Sequence, residues 1–143
     1  MISIIKSYLL ESQEQNICKQ IKNKFIVQEH KADKAGLHYD LRIENNCILK
    51  SWATRKLPQL ISGELKRIAL FQTPDHDPTW FNFSGEIESG YGKGTVSIWD
   101  TGSIKIIKWT DNKIMINFKG SKLSGNYVIL FYKDNQWLMI KTK

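Results

Sequence analysis

Only two cysteines occur in the 143 residues, Cys18 and Cys47, and no C-x-x-C spacing joins them. The usual signature of a zinc ribbon or a redox dithiol is therefore absent, and no neighbouring base is placed to activate either thiol as a nucleophile. Both are expected to be reduced, semi-buried small residues. No apolar run approaches the ~18 residues that a membrane-crossing helix needs. Lys6 interrupts the apolar stretch from Met1 to Leu10, so no signal-peptide core forms. The expected location is cytoplasmic, with no membrane partner. A G-x-x-x-x-G-K-[ST] phosphate loop is missing as well. Gly85, Gly90, Gly92 and Gly94 instead punctuate one segment, as a bulged connection between strands with positive φ would require.

Acidic residues are the minority charge, 14 against 21 Lys plus Arg, for a formal net charge of +7. The excess is uneven. Residues 101–143 carry eight lysines against Asp111 and Asp134, whereas residues 51–100 are close to neutral. A basic C-terminal third suits a polyanion such as nucleic acid, although a lysine-rich solvated face would look the same. Apolar residues at 41% and charged residues at 24% describe a globular chain of one domain, long enough for a single core.

Residues 1–24 have the only helical habit, with Ser7 or Ser12 as candidate caps. From Phe25 onward the texture changes to ten short alternating runs: 25–30, 37–44, 47–54, 66–73, 81–87, 94–99, 103–109, 113–118, 126–133 and 136–142. Turn signals such as Asn45-Asn46, Asp100-Thr101-Gly102 and Asp134-Asn135 separate them. The expectation is a mainly β fold, an antiparallel closed or nearly closed barrel over 25–143 preceded by a helical segment over 1–24. Trp52, Trp99, Trp109 and Trp137 fall in strands and read as core. Trp80 falls in a turn four residues past His76 and is a candidate site residue.

Strict alternation from Leu37 to Ile43 puts Leu37, Tyr39, Leu41 and Ile43 on one strand face and His38, Asp40 and Arg42 on the other. Like-facing neighbours on a strand are ~7 Å apart, a spacing that suits a metal ion and an anion side by side. A solvated strand face with an ion pair would show the same row. The remaining histidines lie in polar surroundings: His30 ends an extended run, and His76 sits in Thr73-Pro74-Asp75-His76-Asp77-Pro78. Two histidines and a carboxylate from separate segments suit manganese, iron or zinc. His38-x-Asp40 with a later His76 also fits the facial triad of iron oxygenases, and a non-catalytic nucleic-acid-binding barrel would make the histidines incidental.

The order and spacing of several segments carry a more specific signal. F-I-V-Q-E-H-K-A (25–32), L-H-Y-D-L-R-I-E (37–44), L-K-S-W-A-T-R-K (49–56), K-R-I-A (66–69), D-H (75–76), F-S-G-E-I (83–87), Y-G-K-G-T-V-S-I-W-D (91–100) and W-L-M-I-K (137–141) follow one another along nearly the whole chain. Together they resemble the 3′-phosphoesterase domain of bacterial DNA ligase D and its stand-alone relatives. That resemblance implies manganese, or another divalent metal, on His30, Asp40 and His76. It implies a phosphate embraced by His38, Arg42, Lys56 and Arg67, with Trp80 binding substrate. The implied activity is metal-dependent removal of a 3′-phosphate, or of a 3′-ribonucleoside, to leave a ligatable 3′-hydroxyl in DNA repair. The implied partners are DNA 3′ ends and primer–templates, with a separate DNA ligase and an end-binding protein acting beside a monomer.

The chain departs from that family in places. Residues 1–24 lack the arginine–aspartate pair and the Thr-Pro-Glu-Pro-like stretch of the family's N-terminal arm, so residues tied to nucleoside removal do not carry over. Thr73-Pro74 stand where an acid usually precedes Asp75, and Trp80 stands in place of a tyrosine. Ile87 to Tyr91 is one residue shorter than the usual stretch.

Overall fold

The computed structural model describes residues 15–143, and the caps expected at Ser7 or Ser12 lie outside the described residues. A helix over 15–21 (α1) leads into nine strands: β1 (Lys24–Ala32), β2 (Gly36–Asn45), β3 (Ile48–Thr54), β4 (Arg67–His76), β5 (Gly85–Ile87), β6 (Gly94–Trp109), β7 (Lys113–Gly120), β8 (Ser124–Lys133) and β9 (Gln136–Lys141). Eight of them close antiparallel in the order β1-β2-β3-β4-β9-β8-β7-β6, with β6 returning to pair with β1. β5 is a short addition that pairs only with the start of β6. The expected mainly β barrel with an N-terminal helix is what forms.

The interior is filled by apolar side chains. Phe25, Leu41, Trp52, Leu70, Ile116, Phe118, Ile129 and Met139 contribute from strands all round the barrel to one cluster of fully buried side chains. Trp52 and Trp137 meet edge to face at 5.8 Å, and Trp99 and Trp109 pack against the cluster from its margin. Burial on this scale supplies the main stabilising term, ~25 cal/mol per Å² of apolar surface removed from water. Since Tyr39, Leu41 and Ile43 point inward, His38, Asp40 and Arg42 on the same strand point to the barrel's outer wall.

Three expectations need correction. The runs 94–99 and 103–109 are one strand, because Asp100-Thr101-Gly102 is not a turn. Asp100 is buried and its carboxylate accepts the backbone N–H of Ser121, Lys122 and Leu123, fastening the β7–β8 turn. Gly102 lies so close to Lys119 of β7 that a Cβ would sit 2.2 Å from its carbonyl oxygen. Helical structure is not confined to residues 1–24 either. A five-residue helix, α2 (Leu57–Ile61), follows β3 and buries Leu57 and Leu60 against the core. Finally, Cys18 and Cys47 are not reduced. They form a disulfide across 29 residues with their Cα atoms 5.2 Å apart, tying α1 to the β2–β3 turn. Asn46 and Cys47 both take positive φ in that turn, 52° and 62°, as a tight two-residue hairpin connection requires. The Glu44 carboxylate accepts the N–H of both Cys47 and Asn23, bracing the tether from below.

Candidate active site

The outer wall of β1 to β4 is the floor of a cleft of about 870 Å³. Its roof is the segment between β4 and β6: a 3₁₀ turn (Pro78–Trp80), then β5, then Tyr91 and Gly92. That cover explains why polar residues on a barrel exterior are nonetheless buried, with His30, Asp40 and Arg42 each 6–7% exposed.

Strand register assembles the centre. His30 on β1 lies opposite His38 on β2, and their rings are 4.7 Å apart. The Asp40 carboxylate stands between them, its Oδ2 3.5 Å from His30 Nδ1 and 3.4 Å from His38 Nε2. His30 Nε2–H donates to the Gly92 carbonyl at 2.8 Å, which turns Nδ1 towards Asp40. His38 Nδ1–H donates to the Gly36 carbonyl at 3.2 Å, so its Nε2 also faces Asp40. One ligand atom from each of these three residues lies within 4.8 Å of the others, a compact nitrogen and oxygen set of the kind that holds a divalent cation.

Arg42 adjoins this centre and is held on every side. Its Nε–H donates to Gln28 Oε1 at 2.7 Å and an Nη1–H donates to Ser51 Oγ at 2.9 Å, while Nη2 sits 4.0 Å from Asp40 Oδ2. Gln28 in turn donates to the Trp80 and Phe83 carbonyls, coupling the guanidinium to the roof. Ser51 can accept from Arg42 because its own hydroxyl donates to Leu49. His76 ends β4 with Nδ1 2.8 Å from the Pro74 carbonyl and 2.9 Å from Arg42 Nη1. The Pro74 carbonyl calls for a proton on Nδ1 and the Arg42 guanidinium for a lone pair there, and in the tautomer that donates to Pro74 the His76 lone pair falls on Nε2. Trp80 packs its ring edge-on to His76 at 5.5 Å.

These surroundings push the titrating groups apart. The Asp40 carboxylate, with smaller help from the Gly36 carbonyl, raises His38 above the ordinary 6.5 against the opposing effect of burial. Burial, then the Arg42 charge, lowers His76 below 6.5. For Asp40 burial alone would raise the pKa, but His38, Arg42 and His30 outweigh it and hold the carboxylate below its usual range. The metal-free protein should therefore show the His38 ring titrating above 6.5 and the His76 ring below it, read by NMR of the imidazole protons. Asp40→Asn should bring His38 down. A His38 midpoint at or below 6.5 before that substitution would mean the carboxylate does not face the ring in solution.

The matches to known proteins point the same way as this geometry. Residues 28–130 match the family model described as the DNA ligase D 3′-phosphoesterase domain. The chain belongs to that family. Among curated relatives it is 36% identical over 127 residues to the multifunctional non-homologous end joining DNA repair protein LigD of Mycobacterium tuberculosis. It is 36% identical to the LigD proteins of Mycolicibacterium smegmatis over 134 residues and of Pseudomonas aeruginosa over 135. These matches cover 84–85% of this chain but only 15–17% of the relatives.

As a 3′-phosphoesterase-family domain, the chain gathers most of the residues singled out in its sequence into one place. His30, His38, Asp40, Arg42, Lys56, His76 and Trp80 all line the cleft. Arg67 does not. It opens β4 on the same strand face as Ala69 and Phe71, which do line it, and stands at the rim one step further along. None of the eight lysines of 101–143 lines the cleft, and the cations that do are Arg42, Arg55 and Lys56. Gln28 and Ser51 were not singled out as site residues, yet they fix Arg42. Their signal was positional, since Ser51 is the β3 partner of Arg42 and Gln28 the β1 partner of Asp40.

Proposed function

We propose that this protein is a divalent-metal-dependent phosphoesterase that removes phosphate from the 3′ end of DNA, leaving a hydroxyl that a ligase can join. The observation that carries the reading is the convergence of His30, His38 and Asp40 beside a clamped Arg42, in a covered cleft of a domain from a 3′-phosphoesterase family. The donor types fit manganese or a similar ion; the expected ligands are His30, Asp40 and His76, whereas the compact trio in the structure has His38 in place of His76. A cation there would draw charge from a phosphate oxygen and lower the pKa of a water beside it.

The two remaining imidazoles divide by chemistry. Burial and the Arg42 charge push His76 down, towards the neutral imidazole that a ligand needs, and donation of Nδ1–H to Pro74 would leave Nε2 free for it. His38 holds a proton more tightly than usual, which suits donation to the departing 3′ oxygen. Arg42 cannot swing, because Gln28 and Ser51 hold it, so it presents a fixed charge to a phosphate arriving beside Asp40. Lys56 adds a mobile charge at the rim, and Trp80 braces His76. The iron-oxygenase reading leaves His30 and Lys56 without a role, and the binding-module reading leaves the buried His30–His38–Asp40 group incidental.

Residues 1–24 lack the arm sequence linked to nucleoside removal, so the activity expected is on phosphate rather than on a terminal ribonucleoside. Two primer–templates test this with manganese present, one ending in a 3′-phosphate and one in a single ribonucleotide. Phosphate release should be rapid and nucleoside removal weak or undetectable. Equal rates on both would show that the arm residues are dispensable. Activity on neither would remove the phosphoesterase reading.

A further inference from the structure

The cleft is much larger than a phosphate requires. At about 870 Å³ it falls in the range of sites that enclose whole small organic ligands. The His30–His38–Asp40 group and Arg42 are gathered at one end. Moving across the sheet from Asp40, the register places Ala53 on β3 and then Phe71 on β4. Ala69 follows along β4, and Ile87 and Tyr91 close over from the roof. This second half is lined largely by apolar side chains, with Thr54, Arg55 and Lys56 following Ala53 at its edge, and two of its aromatic rings are left to solvent. Phe71 is 45% exposed and Tyr91 73% exposed. Solvent-exposed rings lining a cleft are a surface on which unpaired bases stack. Two strand spacings separate Asp40 from Phe71, roughly 10 Å, about the reach from a 3′-phosphate to its own base. Tyr91 also adjoins Gly92, whose carbonyl holds His30, so the aromatic wall and the polar centre are set by consecutive residues. Lys56 and Arg67 lie along the rim, where the next backbone phosphate of such a strand would pass.

We infer that the apolar half of the cleft, walled by Phe71 and Tyr91, holds the unpaired terminal nucleobase of the strand whose 3′ end reaches Asp40. This rests on the phosphoesterase reading and adds that the end of a paired primer, which is still processed, must release its terminal base from the template on binding. Stacking through a ring face makes no distinction among bases, so no sequence preference is expected. Fully paired blunt ends should be processed more slowly than single strands, since the terminal pair must open first.

A product strand separates the two ideas, because binding can be read without turnover. A short single strand with 2-aminopurine as its last base and a 3′-hydroxyl is titrated with the protein in manganese. Its fluorescence should fall on binding. Phe71→Ala should raise Kd roughly tenfold and Phe71→Trp should restore it. An otherwise identical strand with an abasic last nucleotide should lose this sensitivity to Phe71. Absence of quenching, or an equal Phe71→Ala penalty with and without the base, overturns the inference. The phosphoesterase reading is scored separately, by phosphate release from the 3′-phosphate strand with the unsubstituted protein.

Discussion

Asp40→Ala is expected to lower the rate of phosphate release from a 3′-phosphate end by ~10³-fold or more, the scale seen when one member of a unit that acts together is lost. Asp40 is the single carboxylate on which His30, His38 and Arg42 converge, so its removal undoes the cation site and leaves the held guanidinium facing an empty position. Thorough chelation should have the same effect on the unsubstituted protein, and added manganese should reverse it. His30→Ala and the double substitution with Asp40 should cost no more than Asp40→Ala alone. Activity that survives chelation, with metal content verified, would sink the proposed chemistry. Circular dichroism and the unfolding midpoint of each variant separate loss of the site from loss of the fold. Asp40→Asn, which keeps the volume, should be as inactive as the alanine variant.

Breaking the Cys18–Cys47 bond is expected to cost about 3.5 kcal/mol of stability, a sizeable share of the ~5–15 kcal/mol typical of a folded domain. Closing 29 residues of chain restricts the unfolded ensemble by that order in the loop-entropy account. Urea unfolding of a Cys18→Ser/Cys47→Ser double variant, compared with the oxidised protein, measures it. Reductant should bring the unsubstituted protein close to the variant and leave the variant unmoved. An unfolding midpoint that ignores reductant would mean the tether contributes nothing. The site lies on the outer wall and, among the described residues, shares no hydrogen bond with the tether, so activity at a temperature where both stay folded should be retained.

The strand that carries the centre was legible because its two faces face different media. Leu41 and Ile43 go to an apolar interior while Asp40 and Arg42 go to the cleft, and an alternation of that kind survives in a single sequence. What stayed hidden depended on partners far away along the chain. Asp100-Thr101-Gly102 has turn composition, but Asp100 is there to fasten the β7–β8 turn and Gly102 to let Lys119 approach. The pairing of Cys18 with Cys47 required knowing that α1 ends beside the β2–β3 turn. Ser51 and Gln28 became site residues only through register, which turn lengths and packing set together. α2 escaped because five residues with a proline near the start give no helical period to read.

The β2 strand interleaves two inventories of residues, and this shapes how such a domain can change over generations. Point substitutions at the inward positions test the fold, and those at the outward positions test the chemistry, so either can drift with limited damage to the other. An insertion or deletion has no such latitude. Losing one residue between Leu37 and Ile43 would turn the charged side chains into the barrel and the aliphatic ones into the cleft, ending both properties in one event. Length variation should therefore gather in the roof between β4 and β6, where β5 hangs from a single neighbour, and the floor should keep its count.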